Sequence, residues 1–177
     1  RRRAARPDGA VAKLPGRVNL LSCRDCDNPK RVLIESYSDV DPGMLVLMLP
    51  KEDKWQLLGK ARPDVDPARM SRMEFHRTKA RDGQDLPVWV TRPQGAAGKP
   101  APAVVLVHGG PWVRGAVWGW HAETQFLASR GYVVVEPEFR GSTGYGSSHF
   151  RAGFRQWGQA MQDDVTDALR FAVSRGW

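Results

Sequence analysis

Four residues near the middle of the chain, His108-Gly109-Gly110-Pro111, have the types and spacing for acyl-transfer chemistry. They follow directly on the apolar run Ala103-Val104-Val105-Leu106-Val107. Two glycines after a strand let the backbone turn sharply and bring its N–H groups against a ligand. N–H groups aimed in this way stabilise the negative oxygen that develops when a carbonyl is attacked. The same tetrapeptide also suits a plain tight turn. A second glycine-rich stretch, Arg140-Gly141-Ser142-Thr143-Gly144-Tyr145-Gly146, follows the next apolar strand, at the end where α/β folds place their sites.

The remaining chemistry-bearing residues are sparse. Cys23 and Cys26 form a lone C-x-x-C, whereas a structural zinc site needs four ligands. The histidines His76, His108, His121 and His149 are not paired at ligand spacing, so no metal is expected. Arg24-Asp25 and Asp27-Asn28-Pro29 around the cysteines look like a plain turn, and two free turn cysteines are the expectation.

The elements that must position these residues fall into three stretches. Residues 1–30 are polar and basic, with Pro7, Pro15, Gly16 and Pro29. Arg31–Tyr37, Met44–Leu49 and Trp55–Leu58 are short strands joined by polar turns, as in an antiparallel meander. Three strands cannot bury a core alone. From Met70 onward two strands, Met73–Lys79 and Leu86–Thr91, flank an Asp82-Gly83 hairpin turn. The run Ala103–Val107 reads as a strand buried on both faces of a parallel sheet. A helix over 119–130 closed by Gly131, a strand Tyr132–Val135 and a helix over 159–175 follow. Met161, Val165, Ala168, Leu169 and Ala172 lie on one face of that last helix. Strand, helix, strand, helix gives a right-handed crossover in an α/β fold.

Composition bounds the class. The 177 residues are 41% hydrophobic and 26% charged, as in a folded globular protein. No apolar run approaches the roughly 20 residues of a membrane span. Arg1-Arg2-Arg3 is not followed by the apolar stretch of a signal peptide, so none is expected. The net charge of +8 is concentrated at one end, with +6 in residues 1–31 and +2 in the rest. This is a basic tail, expected to be poorly ordered over residues 1–17. No aromatic interleaving marks it as a specific nucleic-acid site.

Three motifs taken together, His108–Pro111, Arg140–Gly146 and Gly158–Val165, resemble the prolyl oligopeptidase family of serine peptidases, in its acylaminoacyl-peptidase and dipeptidyl-peptidase-like branch. Glu35–Asp39 and Leu57–Pro63 look like the end of that branch's β-propeller and its link to the hydrolase domain. The likeness covers residues 14–177. It implies propeller strands and linker over 18–69, and the N-terminal half of an α/β-hydrolase sheet over 70–177. It also implies cleavage of short peptides through an acyl-enzyme. On this resemblance Gly110 donates a backbone N–H to the oxyanion, and Gly109 allows the approach. His108 and Pro111 are scaffold residues, and Arg140, through Asp163 or Asp164, braces the loop carrying Gly144 and Tyr145.

One part of the family pattern is missing from the sequence. The nucleophile of this fold sits in Gly-x-Ser-x-Gly on a strand-to-helix turn. None of Ser22, Ser36, Ser38, Ser71, Ser129, Ser142, Ser147, Ser148 and Ser174 has that frame. The expectation is a fragment whose Ser-Asp-His triad lies beyond Trp177 and which is inactive alone. The resemblance implies no cofactor, no membrane and a short peptide as substrate. A fragment lacking the next strand is expected to self-associate. The rival functions are a non-catalytic interaction module on a partial hydrolase scaffold and nucleic-acid binding through the basic arm. Compartment is not legible in the residues.

Overall fold

The computed structural model describes residues 14–96 and 99–177. The chain divides into two units, Arg1–Ala68 and Arg69–Trp177. Most of the basic tail, residues 1–13, lies outside the described residues.

In the first unit β1 (Val18–Ser22), β2 (Val32–Tyr37), β3 (Met44–Leu49) and β4 (Lys54–Lys60) form one antiparallel sheet among the described residues, in that order. Strand periodicity sets its core: Val32, Ile34 and Ser36 of β2 are buried, while Leu33 and Glu35 face outward. Val32, Ile34 and Met48 pack with Leu14, Cys23 and Trp55. Two expectations are corrected here. Strand β1 is not among the strands named from the sequence, because its pairing with Leu33–Tyr37 is a tertiary contact that local composition does not show. Cys23 and Cys26 are not free but disulfide-bonded, since the turn brings their Cα atoms to 5.4 Å, within disulfide range.

In the second unit β5 (Met73–Lys79) and β6 (Asp85–Thr91) pair as a hairpin around Asp82-Gly83. Then come β7 (Ala103–Val105), α1 (Ala122–Ser129), β8 (Val133–Pro137), α2 (Ser147–Ala152) and α3 (Ala160–Ser174). The sheet order is β5-β6-β8-β7, with β6 antiparallel and β7 parallel to β8. The unit is therefore an α/β arrangement on a mixed sheet. Leu86, Val88 and Val90 of β6 meet Val133 and Val135 of β8. Ala168 and Ala172 of α3 close this face of the core. Small side chains let the helix backbone approach the sheet.

The run Ala103–Val107 departs from expectation. Only Ala103–Val105 is strand, and all three residues are half-buried. β7 is the edge of the sheet, with β8 as its neighbour on one side only, so it is not covered as a central strand would be. Helix α1 begins at Ala122 rather than at Gly119, and the short helix α2 was not anticipated.

Candidate functional site

The loop from His108 to Ala116 leaves the end of β7 and is held against residues 138–143, which leave the end of β8. His108 stacks on Phe139, ring centroids 4.4 Å apart and planes 12° from parallel. Its Nδ1 lies 2.9 Å from the Gly109 carbonyl oxygen. That oxygen can only accept, so Nδ1 carries the proton. Nε2 lies in hydrogen-bond contact with the Ser142 hydroxyl at 3.0 Å. On its other side the ring meets Gly115, where an added Cβ would stand 2.0 Å from His108 Cδ2. Only glycine fits there.

Gly110 sits in the left-handed region, at φ +124°, and a Cβ on it would come within 2.8 Å of Val113 Cγ2. The Gly110–Pro111 peptide bond is cis. Trp112 packs edge-on against Phe150 and Phe154 of the α2 region, with ring centroids 5.4 Å away in each case. The Val113 carbonyl accepts the Thr143 N–H at 3.1 Å. Arg114 lies over the Tyr145 ring. The two glycine-rich stretches singled out in the sequence are thus brought together.

Arg140 stands at the base of this assembly, with two carboxylate partners. Asp164 accepts from Nε and Nη2, each at 2.8 Å, and Asp82 accepts from Nη1 at 2.7 Å and Nη2 at 3.0 Å. Of the two aspartates read as partners, Asp164 is the one that binds Arg140, while Asp163 pairs with Arg81. The Arg140 bond holds the Asp82 carboxyl down at about 2, and the Asp164 bond raises the guanidinium further above its ordinary range. Tyr145 accepts a hydrogen bond from Trp89 Nε1 at 3.1 Å, and burial pushes its phenol up. Gly144 abuts the Arg114 side chain.

Sequence reasoning missed Glu138. Its carboxylate is fully buried and accepts the N–H groups of Gly115, at 3.2 Å, and of Ala116. Oε2 also lies 3.8 Å from His108 Nε2. The available signal was a carboxylate between Pro137 and Phe139, just past the end of the strand that carries Val133, Val134 and Val135. Asp82 was missed too, having been read only as a turn residue.

Ser142, His108 and Glu138 look superficially like a hydrolytic triad, but the geometry is wrong for one. Ser142 is fully buried, and Glu138 approaches the same ring nitrogen as the serine rather than the opposite one. A triad carboxylate must orient the histidine through its other nitrogen. These three residues are therefore scaffold. Two cavities flank the end of β7. One, of about 280 Å³, is apolar and lined by Val107, Pro111, Phe139, Trp157, Met161 and Val165. The other, of about 310 Å³, is polar and includes His108, His121, Glu136 and Glu138. Among the described residues, no group of three or more His, Cys, Asp or Glu is placed to hold a metal ion.

A half-buried edge strand that runs into a glycine loop on this mixed sheet puts the chain in the α/β class. Within that class its likeness is to the prolyl oligopeptidase family, whose profile matches residues 118–177, and the resemblance read from the three motifs is borne out. The chain is 42% identical over 104 residues to dipeptidyl aminopeptidase BIII of Pseudoxanthomonas mexicana, a stretch covering 55% of this chain and 15% of that protein. It is 46% identical over 77 residues to dipeptidyl peptidase family member 6 of Caenorhabditis elegans, covering 44% of this chain and 10% of the relative. A puromycin-hydrolyzing peptidase of Mycobacterium tuberculosis superposes with a TM-score of 0.71 at 26% identity, over 93% of this chain and 26% of that one. Acylaminoacyl peptidase of Pyrococcus horikoshii shares the fold, with a TM-score of 0.63 at 22% identity over 87% of this chain and 24% of that one. The chain therefore spans a small part of the length of each of these relatives.

Proposed function

We propose that the chain supplies the oxyanion side of a serine peptidase that hydrolyses short peptides through an acyl-enzyme. The observation carrying this reading is the Gly109-Gly110 loop at the end of β7, pinned by residues 138–143, in a sequence of prolyl oligopeptidase likeness. In this reading residues 69–177 form the N-terminal half of the hydrolase sheet, and β1–β4 are the last strands of a propeller. The curated relatives are named as dipeptidyl peptidases, which supports short peptides with a free N-terminus as substrates.

Gly110 offers its N–H to the carbonyl oxygen as it becomes negative, and the loop is already fixed before substrate arrives, so little reorganisation is needed at reaction. His108 is scaffold in this reading, because the serine it meets is fully buried and Glu138 lies toward the same ring nitrogen as that serine. The nucleophile and its base lie outside these 177 residues, none of whose nine serines stands in the Gly-x-Ser-x-Gly frame. Fluorophosphonate labelling of the full-length protein, followed by peptide mapping, tests the reading. The label is expected on a serine of that frame outside residues 1–177, with parallel hydrolysis of dipeptidyl p-nitroanilides. Stoichiometric label on Ser142, or no label and no hydrolysis, would overturn it.

A further inference from the structure

We infer that Glu138 is the positioning residue of the oxyanion loop, a role that rests on the peptidase reading above. A fully buried carboxylate is costly unless its oxygens are hydrogen-bonded. Glu138 meets this condition with backbone donors from the far end of the loop, Gly115 to Oε2 and Ala116 to Oε1. Two successive N–H groups converging on one carboxylate form a small anion-binding nest. The near end of the loop is held by the neighbouring residues: Phe139 stacks under His108, and Ser142 bonds its Nε2. The middle is tied by Thr143 N–H to the Val113 carbonyl.

Residues 138–143 therefore hold the loop at its two ends and its middle, and Gly110 lies between them. Of these contacts the carboxylate is the one that bonds the backbone where the chain returns, through the N–H groups of residues 115 and 116, while the Ala116 side chain packs with Met73 and Trp89. Its own position is fixed in turn, because the Glu138 N–H bonds the Pro87 carbonyl of β6 at 2.9 Å. The Gly110 N–H is thus referenced to the centre of the sheet through Glu138. Displacement of an oxyanion donor by about 1 Å costs up to about 10²-fold in rate. The effect belongs in kcat, because the donor acts on charge that exists only in the transition state.

The test uses the full-length protein with Glu138→Gln and Glu138→Ala, a dipeptidyl p-nitroanilide as probe, and amide hydrogen exchange on the same samples. Glutamine keeps the shape and one acceptor, but sets an NH2 donor against the second N–H. Alanine leaves both amides unpaired. We expect kcat to fall about 10²-fold for alanine, with partial recovery in glutamine and KM within about twofold for both. Exchange at Gly110, Gly115 and Ala116 should accelerate while Val90 and Val134 stay protected. Folded variants with normal kcat and unchanged loop exchange would overturn the inference, as would uniform acceleration at all five amides. If the wild-type protein hydrolyses no peptide, the peptidase reading fails, and selective acceleration at Gly115 and Ala116 still supports Glu138 as the anchor of this loop.

Discussion

Arg140 binds both oxygens of the Asp164 carboxylate with its guanidinium, at 2.8 Å each, and the Arg140 backbone N–H donates to the same carboxylate at 2.8 Å. The side chains are 8% and 1% exposed, so the pair is effectively in the protein interior. Removing one member of such a pair leaves the other as an unpaired buried charge. Arg140→Ala should therefore destabilise the unit Arg69–Trp177 by about 3–5 kcal/mol. Arg140→Lys should recover only part of this, because a single ammonium cannot reproduce a two-point fork. Urea unfolding followed by tryptophan fluorescence measures both. A loss below about 1 kcal/mol in the alanine variant would show that Asp164 finds water or another donor.

The second partner of Arg140 behaves differently because it is half exposed. The Asp82 carboxyl is drawn from the ordinary 3.8 to about 2, first by its side-chain bond to Arg140. A depressed carboxylate stabilises the folded state above the unfolded value and loses that contribution as pH falls through the folded one. Stability should accordingly decline between about pH 4 and pH 2 with a slope that Asp82→Asn makes shallower. With 48% of the side chain exposed, the effect at neutral pH should stay within about 1 kcal/mol and shrink in high salt. Unfolding curves at several pH values, with and without 1 M NaCl, check the slope. An unchanged slope in the asparagine variant would exclude Asp82 from the acid transition.

What the sequence disclosed and what it hid follow from the range of the signals. β3 and β5 read correctly to the residue, because β3 is a continuous apolar run between Gly43 and Pro50 and β5 is bounded by the Asp82-Gly83 turn, both local signals, and Gly131 closed α1 where expected. The pairing of Arg140 with Asp82 joins residues 58 apart, and a turn aspartate carries no mark of its partner. Glu138 was hidden for a related reason: its ligands are backbone N–H groups, which every residue except proline possesses. β1 gained its strand from pairing with β2 rather than from its own composition. The glycines of the site were legible as a motif, but the requirement for glycine at 115 arises only when His108 folds over it.

Gly110 is the test of the oxyanion assignment itself. Its left-handed φ strains any residue that carries a Cβ, and that Cβ would come within 2.8 Å of Val113 Cγ2, so the loop backbone or the Val113 side chain must shift. In the peptidase-active full-length protein, Gly110→Ala keeps the N–H but shifts it, and should lower kcat by up to about 10²-fold, with a smaller change in KM. Steady-state kinetics on a dipeptidyl p-nitroanilide, with circular dichroism to confirm folding, measures the split. A folded variant with full kcat would return Gly109-Gly110 to the tight-turn reading.

Glu136 should respond in the opposite sense to Asp82. Burial raises its carboxyl pKa, against the opposing effects of His121 and a hydrogen bond from Thr124 at 3.2 Å. A raised carboxyl favours the folded state below its unfolded value, and that contribution is lost as pH rises through the folded one. At pH 7 the charge is thus a liability, and Glu136→Gln should raise the urea midpoint at pH 7 more than at pH 4. A lower midpoint at both values would mean that the carboxylate is better satisfied than its burial implies.

The exposed edge of the second sheet leads to an expectation about association. β7 has β8 on one side, and among the described residues no strand lies on the other. Leu106 N–H bonds the Val135 carbonyl, and Val133 N–H bonds the Pro102 carbonyl, so residues 102 and 106 bond inward. Hydrogen bonding alternates along a strand, which leaves the N–H groups of Ala103 and Val105 facing away from β8. Residues 103–107 carry no charge and no proline to guard this row. The net charge of +8 opposes association, but +6 of it lies in residues 1–31. A polypeptide of these 177 residues should therefore form oligomers through β7 at micromolar concentration, visible by sedimentation velocity. The substitution must avoid Val105, which packs against the Leu86–Val135 core and would unfold the sheet if charged. Val107 is 48% exposed and stands at the end of the same edge. Val107→Lys should shift the distribution toward monomer with little change in the urea midpoint. A monomeric wild-type chain, or oligomers indifferent to this lysine, would show that another surface governs association.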